Sequence, residues 1–226
     1  LLPFVDYSQF NGRQSGNYIV FSYANDTSAN PVDFTLYVYN FVTKEMHSIR
    51  SDPYYLHQGV VNNNKVYFLG INRLINVYDL QSKTYLNNLF FGIPLDSFGD
   101  EILINTYNFS VGEWKYIVLN TKTGVSFKFG KESTSKNSNL ISNDVNVTGI
   151  FATGEADALA RLNDKFILFE DQTSTKKFHV YDRMNEKYVS FADLSYDDYE
   201  VELEENRICF SANEGVFCFD YDSNKE

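Results

Sequence analysis

The sequence predicts an all-β chain, and three observations carry that expectation. Aromatic residues fill 17% of its 226 positions, as 20 Phe, 17 Tyr and 1 Trp against only 2 Met, and rings suit a pleated, packed surface. A short apolar strand followed by a hairpin recurs five times along the chain. Several of these strands are apolar at consecutive positions, which demands burial on both faces.

The recurring strands are residues 18 to 23 (YIVFSY), 65 to 70 (KVYFLG), 101 to 107 (EILINTY), 165 to 171 (KFILFED) and 207 to 213 (RICFSAN). Each is read as the inner member of a hairpin whose partner lies at 34 to 49, 74 to 89, 115 to 129, 177 to 191 or 215 to 226. Inside the first four partners a polar turn separates two further strands, as in Leu80-Gln81-Ser82-Lys83 and Asn120-Thr121-Lys122-Thr123-Gly124. The first strands start at 18, 65, 101, 165 and 207, so the steps are 47, 36, 64 and 42 residues. That spacing fits a four-stranded propeller blade of roughly 40 to 50 residues.

The long step holds 131–155, rich in Ser, Asn, Thr and Gly, which reads as a surface loop dispensable for folding. Phe166-Ile167-Leu168-Phe169, Ile208-Cys209-Phe210 and Phe217-Cys218-Phe219 need two dry faces. The middle strands of a blade meet that condition, because each sheet lies between two neighbours. A β-propeller of about five four-stranded blades in a single domain, 1–226, is therefore expected. A β-sandwich and a fragment of a larger propeller are the alternatives. Residues 1 to 8 (LLPFVDYS) read as a spare strand that completes the last blade and removes an open edge. Gly12 to Gly16 reads as a turn.

Runs such as 75 to 89 (INVYDLQSKTYLNNL) and 178 to 191 (FHVYDRMNEKYVSF) resemble the hairpins of kelch-like, WD-like and related propellers. The Gly-His and Trp-Asp pairs of WD repeats and the paired glycines of kelch blades are absent. The resemblance is architectural; it selects no subfamily and carries over no site residue.

Nineteen basic against thirty acidic residues give a formal charge of -11, which repels a phosphate backbone, so nucleic acid is not an expected partner. No apolar run reaches the roughly 20 residues of a membrane span. The first residues lack the leader pattern of a signal peptide, and the compartment, left open, leans intracellular. Three Asn-x-Ser/Thr sequons, at Asn25, Asn108 and Asn146, are near what chance gives in an Asn-rich chain. Cys209 and Cys218 are the only cysteines. If Asn213-Glu214 is a two-residue turn, they stand opposite each other; the expectation is two buried thiols packing as small hydrophobes, with a cross-strand disulfide as the alternative. His47, His57 and His179 have no metal-ligand spacing, and no hydrolase elbow or nucleotide loop is present, so no catalytic residue, metal or cofactor is expected.

Propeller ligands meet the loops between blades and between inner strands, which selects Tyr54, Tyr55, His57, Arg73, Trp114, Tyr196, Asp197, Asp198 and Tyr199 as candidate contacts. Exposed Trp, Tyr and Arg dominate binding hot spots. The segment 193–205 (DLSYDDYEVELEE) carries seven acidic residues, with Glu200, Glu202 and Glu204 alternating with Val201 and Leu203 as on one strand face. It reads as a solvated edge or as a docking strip for a basic peptide, with a weak Ca²⁺ site at Asp197, Asp198 and Glu200 ranked below. The function expected is a non-catalytic platform that scaffolds a protein partner, as a subunit of a larger complex. The alternative is a glycan-binding lectin or glycoside hydrolase, for which Asp100, Glu101, Asp157 and Glu200 are the carboxylates on offer.

Overall fold

The computed structural model describes residues 11–26, 33–50, 59–70, 74–86, 89, 91–108, 113–128, 160–171, 177–190, 200–204, 206–212 and 215–220. The chain divides into two compact units, 1–106 and 107–226.

The first unit opens with a sheet of β1 (Asn11–Ser15), β2 (Tyr18–Asp26), β3 (Asp33–Asn40) and β4 (Met46–Arg50), antiparallel and in chain order. A second sheet of the same order follows: β5 (Gly59–Asn62), β6 (Lys65–Leu69), β7 (Ile75–Asp79) and β8 (Thr84–Tyr85). The hairpin of β9 (Ile93–Phe98) and β10 (Glu101–Asn108) comes next, with a register shift between Leu103 and Ile104.

The second unit contains the hairpin of β11 (Glu113–Asn120) and β12 (Ser126–Lys128). It also contains the four-stranded sheet of β13 (Ala160–Leu162), β14 (Phe166–Asp171), β15 (Lys177–Asp182) and β16 (Lys187–Ser190). Its last sheet is three-stranded, of β17 (Glu200–Glu204), β18 (Arg207–Ala212) and β19 (Gly215–Asp220). Among the described residues every regular element is a strand.

The five apolar runs found in the sequence form β2, β6, β10, β14 and β18, but each is the second strand of its sheet, not the first. The true first strands were hidden in segments that read as connections. Residues 11 to 15 are the plainest correction: the span Gly12 to Gly16, expected as a turn, is β1 up to Ser15, and the turn is Gly16-Asn17, with Gly16 at φ 55°. A left-handed φ costs glycine nothing, so Gly16 fixes the place where β1 folds back on β2.

Burial grades across the second sheet. All of β5 and Val66 through Leu69 of β6 are buried, β7 alternates with period two, and β8 is exposed. Consecutive buried residues mean both faces are covered, as expected for Phe166-Ile167-Leu168-Phe169 of β14, and Ile102, Leu103 and Ile104 repeat the pattern in β10. Ile208-Cys209-Phe210 and Phe217-Cys218-Phe219 depart from that expectation, because Cys209 is half-buried and Cys218 exposed, so their sheet has one wet face there. Val20, Leu36, Val38 and Ile49 of the first sheet pack with Val61, Val66, Phe68 and Leu80 into one cluster. At about 1.5–3 kcal/mol per fully buried aliphatic or aromatic side chain, this cluster holds the first two sheets face to face. Gly59 permits the approach: a Cβ there would stand 3.0 Å from Val20 Cγ1.

Cys209 and Cys218 form a disulfide, which corrects the expectation of two free buried thiols. The expected register holds: Ala212 pairs with Gly215 around a two-residue loop, and Cys209 with Cys218. In such a hairpin that rung lacks ladder hydrogen bonds, and the side chains of its two residues stand closest together. Cys218 is exposed and Cys209 half-buried, so the pair is not core filling.

Candidate functional site

Consecutive antiparallel strands give every sheet two ends of different character. At one end, the connections from first to second strand and from third to fourth strand are 2 to 5 residues long. At the other, the connections from second to third strand and from sheet to sheet run from 2 to 31 residues.

The short end is built on one repeated device. An Asn or Asp closes the strand that leads into the longer of these turns, and its Oδ1 accepts hydrogen bonds from the backbone N–H groups two and three residues ahead. Asn40 accepts from Val42 and Thr43, Asp79 from Gln81 and Ser82, Asn120 from Lys122 and Thr123, and Asp182 from Met184 and Asn185, all at 2.8–3.1 Å. Lys44, Lys83, Gly124 and Glu186, each four residues after that Asn or Asp, take positive φ and turn the chain into the fourth strand. The neighbouring turn is tied in by backbone bonds: Phe41 donates to the Asn17 carbonyl, Leu80 to Asn64 and Arg183 to Lys165. The N–H groups of Ser82 and Gln81, with the Ser82 hydroxyl and the Lys65 charge, hold the Asp79 carboxyl below its ordinary pKa of 3.8 against a smaller opposing effect of burial. Burial pushes the Tyr181 phenol above 10.0, and Glu186 adds to the rise.

In the first unit the first strands are also stitched together by polar groups. Ser15 Oγ donates to the Val61 carbonyl and accepts from the Val61 N–H, both at 2.9 Å. Ser97 Oγ lies 2.8 Å from Ser15 Oγ and 3.0 Å from the Val61 carbonyl, so β1, β5 and β9 meet at one hydroxyl-lined node. Asn62 donates to the carbonyls of Gly99 and Glu101, Asn63 to the Asp100 carboxylate, and the Tyr18 hydroxyl to Asn64 Oδ1. Of these residues the sequence singles out only Asp100 and Glu101, as carboxylates for a glycoside hydrolase, and here Asp100 Oδ1 and the Glu101 carbonyl accept from Asn63 and Asn62. The one available signal was the Asn62-Asn63-Asn64 run between two strands, where Asn63 and Asn64 both take positive φ.

The nine candidate contacts belong by connectivity to the other end. Tyr54, Tyr55 and His57 lie in the segment joining β4 to β5, Arg73 in that joining β6 to β7, and Tyr196, Asp197, Asp198 and Tyr199 in that joining β16 to β17. These eight lie outside the described residues, and so do residues 1–10 and 129–159, which hold the proposed closing strand, the surface loop and Asp157. Trp114 is the second residue of β11, described for its backbone alone. Glu200, Glu202 and Glu204 do lie on one strand, β17, with partners Ser211, Cys209 and Arg207. Asp100 occupies the β9–β10 turn, and Glu101 begins β10. Among the described residues, no three His, Cys, Asp or Glu side chains gather as metal ligands. No described helix is long and apolar enough to cross a membrane.

No protein-family model matches the chain, and no curated protein matches it in sequence. Solved structures do. The β-propeller domain of the Trilobed protease from Pyrococcus furiosus, described as having an open velcro topology, is 12% identical with a TM-score of 0.57, over 95% of this chain and 68% of that one. TolB from Acinetobacter baumannii is 15% identical with a TM-score of 0.58, over 93% of this chain and 54% of that one. Hsv2 from Kluyveromyces lactis is 12% identical with a TM-score of 0.52, over 90% of this chain and 56% of that one. The chain thus spans between 54% and 68% of the length of these three neighbours. Identities this low carry the fold and not the activity. Repeated antiparallel sheets in chain order, together with these neighbours, make the chain a β-propeller, of no identified subfamily.

Proposed function

We propose that this chain is a non-catalytic platform that binds a protein partner bearing a basic segment, through the connections at the variable end of its sheets. The supporting observation is the contrast in connection length: 2 to 5 residues at the capped end against 2 to 31 at the other. Loops carried by a rigid scaffold and free to vary are where binding residues accumulate. Tyr54, Tyr55, His57, Arg73, Tyr196 and Tyr199 supply amphipathic or hot-spot side chains to those connections, and Trp114 stands at the start of β11 beside one of them. Asp197 and Asp198 add the negative field that steers a basic partner.

The finer architecture proposed is five blades, the last receiving its fourth strand from residues 1 to 8. Its support is the last sheet, three-stranded among the described residues. An unchanged melting temperature on deleting residues 1 to 8 contradicts that closure.

The function is tested with the variant Asp197→Lys, Asp198→Lys, Tyr199→Ala. Affinity capture from the native source, read by mass spectrometry, should recover a partner with the parent chain and lose it with the variant, while circular dichroism and melting stay unchanged. Capture should weaken as salt rises, because exposed charges are screened over about 8 Å at physiological ionic strength. Equal recovery by both chains refutes the assignment of the partner to the acidic segment.

A further inference from the structure

We propose that the Cys209–Cys218 bond is a redox modification site, a latch on the β18–β19 hairpin that an external dithiol opens through attack at Cys218. The chain has two cysteines, and this one bond uses both. Access distinguishes them. Cys218 is exposed, whereas Cys209, on the middle strand of β17-β18-β19, is half-buried.

Two rungs along, on the same face by the two-residue period of a strand, Arg207 Nε meets Asp220 Oδ1 at 2.7 Å, with side chains 50% and 76% exposed. At Cys218 and along the rung of Arg207 and Asp220, this face is therefore open to a solvent-borne thiolate. Ile208, between Arg207 and Cys209, is fully buried on the other face. Exposed disulfides exchange more readily than buried ones, and the accessible sulfur is the one attacked.

The chemistry balances as follows. A thiolate of the dithiol attacks Cys218 Sγ, forming a mixed disulfide there and breaking the bond to Cys209, which leaves as a thiolate and takes up a proton. The second thiol of the reagent, deprotonated, attacks its own sulfur in the mixed disulfide and releases Cys218 as thiolate, then thiol. Two electrons and two protons pass from the dithiol to the chain, and the reagent leaves as its cyclic disulfide.

What the latch controls follows from the register. β17 and β18 are paired from Glu200–Ser211 to Glu204–Arg207, and β18 and β19 from Arg207–Asp220 to Ala212–Gly215. With the bond open, the ladder still holds the thiols opposite one another, so re-oxidation is intramolecular. The hairpin meanwhile loses its covalent cross-strand tie, so β19, last in its sheet among the described residues, opens more often although the ladder re-forms between openings.

The full-length chain, oxidised and without denaturant, is incubated with reduced glutathione, quenched in acid, alkylated and digested. The species trapped by the quench should carry glutathione on Cys218 and an alkyl group on Cys209, in low yield because Cys209 displaces the glutathione; dithiothreitol should instead give two alkylations per chain. A bond that resists both reagents until guanidinium is added overturns the site, and glutathione found on Cys209 overturns the direction of attack. Single variants guard against misreading. Cys209→Ser should react with glutathione disulfide about tenfold faster than Cys218→Ser, as exposure requires, and equal rates overturn the assignment. On reduction, amide exchange in 215–220 should speed up about tenfold while 166–171 stays unchanged; no difference between the two overturns the latch.

Discussion

Asn105 offers the sharpest test of how the first unit is packed. Its side chain is 1% exposed on β10, beside Ile104, and among the described residues neither its Nδ2 nor its Oδ1 has a hydrogen-bond partner. A buried polar group left unpaired costs about 1–3 kcal/mol relative to its hydrated state, and here both a donor and an acceptor are affected. Asn105→Leu keeps the heavy-atom count and the branching at Cγ while removing both polar atoms. Against the gain stands overpacking of a dense site by the larger methyl groups, of the order of 1 kcal/mol. The expected outcome is a net gain of about 1–3 kcal/mol. For a chain of this length that raises the midpoint by about 2–4 °C per kcal/mol. Thermal unfolding followed by circular dichroism and a urea titration should agree, with an unchanged m-value marking a change in stability alone. Asn105→Val, which is shorter, separates overpacking from polarity. Loss of more than about 1 kcal/mol in both variants would sink this reasoning, because it would mean that an ordered internal water satisfies the amide.

The repeated turns carry their own controls. Asp182 is buried and accepts from Met184 N–H, Asn185 N–H and Asn185 Nδ2, so Asp182→Ala should cost about 2–3 kcal/mol, against about 1 for Asn40→Ala in an exposed turn. Asp182→Asn keeps the Oδ1 acceptor and should lose clearly less than Asp182→Ala in the same urea titration; equal losses would refute the acceptor role. The pH profile of the melting temperature should fall off at both limits. With the Asp79 carboxyl held below 3.8, its contribution is complete above that pH and fades as acid protonates it in the folded chain. With the Tyr181 phenol held above 10.0, its contribution is complete below that pH and is lost as alkali ionises it. Asp79→Asn and Tyr181→Phe should each flatten one limb, and an unaltered limb counts against the corresponding group.

The second strands were legible because their physics is local. Ile102-Leu103-Ile104 and Phe166-Ile167-Leu168-Phe169 can be satisfied only by two dry faces, and that requirement survives without any knowledge of neighbours. The first strands were not legible, for the complementary reason. β1 reads NGRQS, without one apolar side chain, and its extended state comes from five rungs of pairing with β2. β9 carries Pro94, Asp96 and Ser97, and β5 is four residues that begin with Gly59. Strand propensity is weak enough for tertiary pairing to override it. The Cys209–Cys218 register, by contrast, followed from a two-residue turn, while the oxidised state of the pair did not, since opposition alone is equally compatible with two thiols.

The same distinction explains which parts of the site the sequence could reveal. The Asn or Asp before each short turn accepts from N–H groups two and three residues ahead, so Asn40, Asp79, Asn120 and Asp182 form a pattern readable along the chain, and Asp220-Tyr221-Asp222-Ser223-Asn224 repeats it in composition. The Ser15–Val61–Ser97 node joins residues 46 and 36 positions apart, and no local pattern announces it. Local rules therefore reveal the scaffold of this fold, whereas contacts that converge from separate strands have to be seen in three dimensions. The binding residues proposed on the longer connections would fall in the second class, because nothing in their own few neighbours fixes them. Composition could name Tyr54, Tyr55, His57, Arg73 and the 196–199 run as chemically suited. Connectivity then assigns them all to the variable ends of their sheets, away from the capped turns that hold the strands in register.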